Sequence, residues 1–488
     1  MNRERYFILL LISSVICGCA TEHHHAVLQS PILQNQQPKS SDATAPVEEI
    51  QQAAHHEEAP KNTSSEPVLL PTVTENNEAT NNEAILSLEY FKEIALTNNP
   101  TLVQATAQIN AANGAAYQAG LYPNPVVGYS GEQIGVNGTV GELQGGFVSQ
   151  EIVTGGKLRL SRTKWLQRVR IAETNAVMQK QRVLNDVQIQ FYRTLAAQRL
   201  VKIHRELLAN GKDNLQTYRE KLNVGQTNQS GILRAEVDLQ RDRLSLQQAE
   251  NEFQHVWRTL VSLVGVPELA LGTFTGKLKP EEKMLDWESA LSQFLSTSPE
   301  LQVARQKIRH DEISVQRERV EPIPNLLTDI SVGRNFEAQS TTATVNIGIS
   351  LPIFDRNQGT IQQAESDLTR SHAEARRLEL ELRTRLANQY RDYQTAWQHI
   401  QAYQNEMLPK AKKSYELLKN SYKARRAEWD DVLIAQRLYL NLRREHINNL
   451  TMYRESDVAV RGMLLTGGLL EPASPVSGGH IDAVPKPR

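Results

Sequence analysis

The ten residues "SLPIFDRNQG", Ser350–Gly359, separate two different periodicities. Ahead of them, Ala343, Val345, Ile347, Ile349 and Leu351 alternate with Thr342, Thr344, Asn346, Gly348 and Ser350. That is the period of two expected of a strand with one apolar and one polar face. Behind them, Ile361, Ala364, Leu368, Ser371, Ala375, Leu378 and Leu382 step by three and four. The seam slips once and resumes through Leu386, Gln389, Tyr393, Ala396 and Ile400. This is coiled-coil spacing with small and polar residues sharing the seam. A helix from about 360 to 404 would be roughly 65 Å long at 1.5 Å per residue, and the stretch near 158–207 predicts a longer one.

The pattern occurs twice. Pro100, Pro123 and Pro125 recur as Pro299, Pro322 and Pro324, each shifted by 199 residues. "LTNNPTLVQATAQI" parallels "LSTSPELQVARQKI", and "LNVGQTNQSGILRAEVDL" parallels "YKARRAEWDDVLIAQRLYL" at a shift of 200. Two unrelated helical segments of similar composition would not reproduce the proline triplets. The body therefore reads as a duplication, 84–282 and 283–470. Each half predicts a helix broken at its proline, over about 87–120 and 286–320. Strand pairs follow, at about 125–136 with 140–152 and 325–336 with 341–352. In the second pair Leu326, Thr328, Ile330 and Val332 oppose Leu327, Asp329, Ser331 and Gly333. Two long helices complete each half, with turns expected at "LLANGKDN" (207–214) and "NEMLPKA" (405–411).

The ends read differently. Arg3 and Arg5 precede an apolar run, Tyr6 to Ile16, and then "ICGC". This predicts a lipoprotein signal over 1–18 with lipid on Cys19, an ordinary cleaved signal being the alternative. Cys17 fits less well, because bulky Ile16 would stand before the cut. The chain has two cysteines, so a mature chain starting at Cys19 has no pair for a disulfide. Residues 19–83 are rich in Gln, Asn, Pro, Thr and Glu without an apolar period and read as a disordered tether, and 471–488 as a similar tail. His23, His24 and His25, then His55 and His56, lie in that tether without rigid geometry. They offer weak, unselective metal capture at most, and otherwise serve as polar linker residues.

Charge and composition exclude several classes. A formal net charge of −1 gives no sign of a nucleic-acid partner. Beyond the N-terminus no stretch approaches the ~20 apolar residues of a membrane-spanning helix. "TGGKL" lacks the upstream glycine and the following Ser or Thr of a phosphate loop. No nucleophile–base pair or paired-carboxylate motif stands out, so neither catalysis nor a cofactor is expected. The strand alternation fits a half-buried soluble sheet and a transmembrane barrel alike. Four strands cannot close a barrel, which needs about eight or more, so a barrel would require several chains. Two readings follow. One is a channel, and the other a lipid-anchored periplasmic coiled-coil scaffold with soluble hairpins.

Over roughly 84–468 the chain resembles the TolC family of outer-membrane efflux proteins. "SQEIVTGGK" (149–157) and "SLPIFDRNQG" occupy corresponding places in the two halves, and their combination is similar to the CzcC-like heavy-metal branch. The resemblance implies an α+β fold: a trimeric, 12-stranded transmembrane β-barrel, four strands per chain, continued by a periplasmic α-helical barrel. It implies a cell-outer-membrane location among lipid, a periplasmic adaptor (membrane fusion) protein, and an inner-membrane pump of the resistance-nodulation-division (RND) type. Cargo, metal or drug, would be chosen by that pump. The strand–helix junctions would be Gly155, Gly156 and Lys157 in one half, and Pro352, Phe354, Asp355, Arg356, Asn357 and Gly359 in the other. There Pro352 would end the strand, Phe354 anchor at the interface, Asp355 or Asn357 cap the helix, and Gly359 permit close packing. Asn223, Val224 and Gly225 resemble the adaptor-docking tip, whose mouth would lie near 205–230 and 403–430. Arg425 replaces the matching glycine in the second half. Glu416, Asp430 and Asp431 fall near the family's acidic constriction, although each is also an ordinary solvated charge.

Overall fold

The computed structural model describes residues 85–135, 141–281 and 283–475. In each half a pair of helices meets at a proline: α1 (Leu88–Asn98) with α2 (Pro100–Gln118), and α5 (Trp287–Thr297) with α6 (Pro299–Val320). Proline at the first helical position needs no N–H and starts the second helix of each pair. Asn99 caps α2, accepting from Thr101 N–H at 3.0 Å, while its amide donates to Leu263 O at 2.8 Å.

Four strands then form one antiparallel sheet in the order β2 (Val126–Glu132), β3 (Leu143–Ile152), β5 (Leu326–Asn335), β6 (Ser340–Ile349). The two halves join through β3 and β5, from Leu143↔Asn335 to Ile152↔Leu326. Glycine is required at their crossing, because a Cβ on Gly145 would overlap the Val332 carbonyl and the Gly333 backbone. β2 and β5 are shorter than expected at both ends, β3 starts three residues late and ends at Ile152 as expected, and β6 starts one residue early. β6 stops at Ile349, three residues before Pro352, and Leu351 O instead accepts from Ile353 N–H at 2.9 Å in a tight turn.

From the sheet, α3 (Lys157–Asn223) runs 67 residues, about 100 Å at 1.5 Å per residue, and returns as α4 (Gln229–Leu263). In the second half α7 (Gln358–Ala402) passes through a five-residue π segment (Tyr403–Met407) into α8 (Leu408–Lys423), and α9 (Trp429–Arg461) returns. The turns expected at 207–214 and 405–411 are therefore absent, and the chain reverses at 224–228 and 424–428. Gly211 stays helical because its missing Cβ admits Asp242 of α4, whose carboxylate would lie 2.7 Å from one. Pro409 sits in the first turn of α8, where the π segment absorbs its missing N–H.

The core lies midway along the long helices. Leu86 of β1 (Ile85–Leu86) pairs with Phe274 of β4 (Thr273–Phe274). Phe274 stacks on Phe91 at 5.8 Å and meets Trp257 edge-on at 5.6 Å. Tyr393 and Tyr453 stack at 5.2 Å, and both are fully buried, as are Leu382, Leu386, Ala396 and Ile400 of the α7 seam. Helices this thin would be marginal alone, and this belt supplies the thickest apolar layer.

The C-terminal segment is strapped along α3. Asp186 accepts from Gly467 N–H at 2.9 Å and Gly468 N–H at 2.7 Å. Asn175 donates to Ala473 O at 2.8 Å and Gln108 to Pro472 O at 3.1 Å. Fixed structure thus continues past the boundary expected at 471, because side-chain amides on α2 and α3 satisfy the strap's carbonyls.

Candidate functional site: a two-faced wall, its junction and its tip

The register assigns every sheet side chain to a face. Across the middle run Val127↔Val148, Val148↔Ile330 and Ile330↔Val345. Tyr129, Val332, Ile347 and Ile349 share this face, and all are exposed, Val127 at 73%, Val345 at 61% and Ile347 at 67%. A soluble half-buried sheet would cover such a face with helix or loop, and an uncovered apolar surface of this extent marks contact with something apolar. The opposite face carries Ser149, Ser331, Thr344 and Asn346, with Val126, Leu143, Phe147 and Leu327 its large apolar members. Its charges are Glu132, Glu151 and Asp329, all acidic. Arg334 falls on the apolar face, near the loop end of the sheet, within snorkelling reach of water. Within the chain β2 and β6 each pair on one side only, so the sheet presents two open edges.

The two strand–helix junctions converge on a cleft of about 570 Å³ lined by Glu151, Lys157, Asn325, Leu351, Phe354 and Asp355, among others. Gly155 and Gly156 lie at φ +67° and +70°, the left-handed region that favours glycine. Lys157 is buried and donates to Asn325 Oδ1 at 3.0 Å. Burial pushes its ammonium below the ordinary lysine value, while the nearby Glu321 carboxylate acts the other way. In the second junction Asn357 occupies the helix-cap position at φ +61° but caps nothing with its side chain. Its amide instead donates to Glu318 O at 2.9 Å and Glu318 Oε2 at 2.8 Å. Asp355 accepts from Asn357 N–H at 2.9 Å, so neither expected cap serves α7. Arg356 lies between them, its N–H donating to Gln358 Oε1 at 2.8 Å. Gly359 has no atom within 4 Å of a Cβ position, which removes the expected close packing. Phe354 is 90% exposed beside the cleft.

Below the junction, α3, α6 and α7 enclose charged side chains that the sequence did not single out. Lys164, Arg168, His310, Asp311, Arg317 and Glu318 are all buried. Arg168 Nε donates to His310 Nε2 at 3.3 Å and stacks over Trp165 at 4.0 Å, so the imidazole proton sits on Nδ1, 2.8 Å from Asp311 Oδ1. Asp311 also accepts from Ser371, and Arg317 Nε donates to Ser161 Oγ at 2.9 Å. Burial pushes the His310 imidazole below its ordinary value; the Asp311 hydrogen bond opposes this, and the Arg168 and Lys164 charges add to it.

At the far end, Asn223 closes α3 and Val224–Gly225 form the first turn, with Gly225 at φ +75°. Arg425 takes the matching place at φ +58°. Between the two hairpins, Tyr218 OH donates to Asp430 Oδ1 at 2.7 Å, Arg437 lies 3.2 Å from Asp238, and Trp429 Nε1 donates to Asn214 Oδ1 at 3.1 Å. A cleft of about 180 Å³ opens between them. Burial, then the Asp430 hydrogen bond, push the Tyr218 phenol up to about 12. Of the three acidic residues singled out here, Asp430 joins this inter-hairpin contact. Asp431 is exposed in the first turn of α9, and Glu416 lies on α8, 3.9 Å from Lys412. Cys19 and the histidines at 23–25, 55 and 56 fall outside the described residues. Among those described, no group of three or more His, Cys, Asp or Glu could hold a metal, and no helix is long and apolar enough to cross a membrane. Nothing in that bears on a β-barrel.

A family model described as outer membrane efflux protein matches residues 93–266 and 290–464, one stretch in each half. The cobalt-zinc-cadmium resistance protein CzcC of Cupriavidus metallidurans is 24% identical over 373 residues, covering 75% of this chain and 86% of that protein. The outer-membrane channel OprN matches with a TM-score of 0.66 at 18% identity, covering 78% of this chain and 91% of that one. The outer membrane protein VceC of Vibrio cholerae matches with a TM-score of 0.63 at 17% identity, covering 78% and 96%.

Proposed function

Since the chain belongs to the outer membrane efflux protein family, we propose that it is the channel subunit of a tripartite efflux system, a passive trimeric conduit carrying heavy-metal cations from a periplasmic adaptor and an RND-type pump to the exterior. The observation that carries this reading is the exposed apolar face of a sheet with two open edges. An open edge cannot persist in hydrocarbon, because each unpaired N–H or C=O there costs several kcal/mol, on the order of 2–7. Pairing β6 of one copy with β2 of the next removes every edge when three copies close, and the polar face then lines a water-filled lumen. The helical hairpins continue that lumen into the periplasm. The chain performs no chemistry; the pump supplies the energy.

The metal cargo draws support from CzcC, whose name gives it cobalt, zinc and cadmium resistance. A polar face whose charges are Glu132, Glu151 and Asp329 suits a cationic cargo better than an anionic one. Lipid on Cys19 would hold each copy at the membrane. The test is growth of a deletion strain on graded cobalt, zinc and cadmium salts beside a drug panel. Metal sensitivity restored by the intact gene is expected. Unchanged metal tolerance with new drug sensitivity would reassign the cargo.

A further inference from the structure

The junction cleft holds charges of both signs that do not pair with one another. Lys157 lines it and is buried, and Glu151 and Asp355 line it as well. Asn325 stands between the first two. Its Oδ1 accepts from Lys157 at 3.0 Å, and its Nδ2 donates to Glu151 Oε1 at 2.6 Å. Ammonium and carboxylate are thereby held one amide apart. Among the described residues no carboxylate lies within 4.0 Å of the Lys157 ammonium, and no cation within 4.0 Å of Glu151 or Asp355. The third carboxylate of the cleft, Glu321, is taken by Arg317. Charges kept apart in this way are costly until something of matching charge joins them. Burial already pushes the Lys157 ammonium below its ordinary value, and an anion beside it would act the other way.

Another wall of the cleft is apolar. Ile323, Leu351 and Phe354 line it, and all three are exposed, with exposed Ile353 beside them. Leu351 follows Val345, Ile347 and Ile349 in the alternation of the sheet's apolar face, so the cleft lies where that face ends. In a membrane barrel this is the level of the headgroups, where aromatic side chains gather.

We propose that the cleft holds one phosphatidylethanolamine molecule of the periplasmic leaflet, its phosphate on Lys157, its ammonium between Glu151 and Asp355, and its chains over Leu351 and Phe354. This occupancy rests on the channel reading, which sets the cleft at the membrane surface. The two-carbon spacer of ethanolamine separates phosphate from ammonium much as Asn325 separates Lys157 from Glu151. Phosphatidylglycerol offers no cation to the two carboxylates, and the quaternary nitrogen of phosphatidylcholine has no N–H to donate. Free phosphoethanolamine carries the same charges but leaves the apolar wall wet.

The test takes the membrane-extracted, heat-resistant trimer, strips its lipid with detergent, and offers phosphatidylethanolamine, phosphatidylglycerol and phosphatidylcholine in equal amounts. Native mass spectrometry counts what is retained. Wild type should keep one phosphatidylethanolamine per copy, about tenfold enriched over either competitor. Glu151→Gln combined with Asp355→Asn keeps both accepting oxygens, and should erase that preference while leaving the trimer. Phe354→Ser should weaken retention of every lipid. No retained lipid, equal retention of all, or an unchanged preference in the double variant would each overturn the site. Displacement by free phosphoethanolamine as effective as by the lipid would also overturn it. So would loss of the trimer, rather than of lipid, in Phe354→Ser, which would give that side chain to a neighbouring copy. Conductance of the same trimers decides the channel separately, and steps without any ethanolamine preference would sink this site alone.

Discussion

Val345 and Asn346 are neighbours on β6 that should respond oppositely to the same substitution. Val345 pairs with Ile330 near mid-strand on the apolar face, and Asn346 pairs with Asp329 on the polar face. Arginine on the lipid face of a barrel costs about 2–4 kcal/mol at the bilayer midplane and close to nothing in a lumen. With one site per copy, a closed trimer carries roughly three times that, about 6–12 kcal/mol. This rivals the whole stability of a typical domain, about 5–15 kcal/mol. Val345→Arg should therefore abolish the heat-modifiable band of outer-membrane extracts, whereas Asn346→Arg should leave it intact, its new charge lying near Asp329. Gel migration with and without boiling reads this out, and urea titration of surviving trimers gives the magnitude. An intact Val345→Arg trimer, or equal loss in both variants, would refute the assignment of faces.

Three further outcomes follow from the helical part. Asp430→Ala removes the 2.7 Å bond from Tyr218, worth about 1 kcal/mol, and should raise the open probability of single channels roughly fivefold. Tyr218→Phe should act alike, and no change in either would detach this contact from gating. Arg425→Gly relieves a left-handed side chain and should stabilise the protein by about 1 kcal/mol, read as a higher midpoint in denaturant. His310 has a lowered folded-state pKa, so the unfolded chain takes up its proton first as the medium acidifies. Stability should then fall as pH drops below about 6.5 and level off below the folded value, and His310→Gln should flatten that limb of the pH–stability curve.

What the sequence made legible was whatever repeats or alternates. The strand from Ala343 to Leu351 shows both faces in one line, and the proline triplets locate the helix breaks in both halves. The hairpin turns were misplaced because breakers were read without their tertiary setting. Asn210–Gly211 resembles a stop, but the missing Cβ lets α3 approach α4, and Pro409 falls where a π segment has already broken the hydrogen-bond ladder. The real second turn carries an arginine, which no turn preference signals. Charges buried between α3, α6 and α7 were invisible for a related reason, since Lys164, Arg168 and Arg317 on amphipathic helices read as solvated faces. Lys157 and Lys164, one heptad apart, with His310 and Arg317 at the same spacing, held the available signal.

The account's central claim is that three copies close a water-filled pore across the outer membrane. Planar-bilayer recording of the membrane-extracted, heat-resistant species tests it most directly. Discrete conductance steps, lost when the sample is boiled to monomers, are the predicted result. A protein purified as a soluble monomer that leaves the bilayer electrically silent would contradict it.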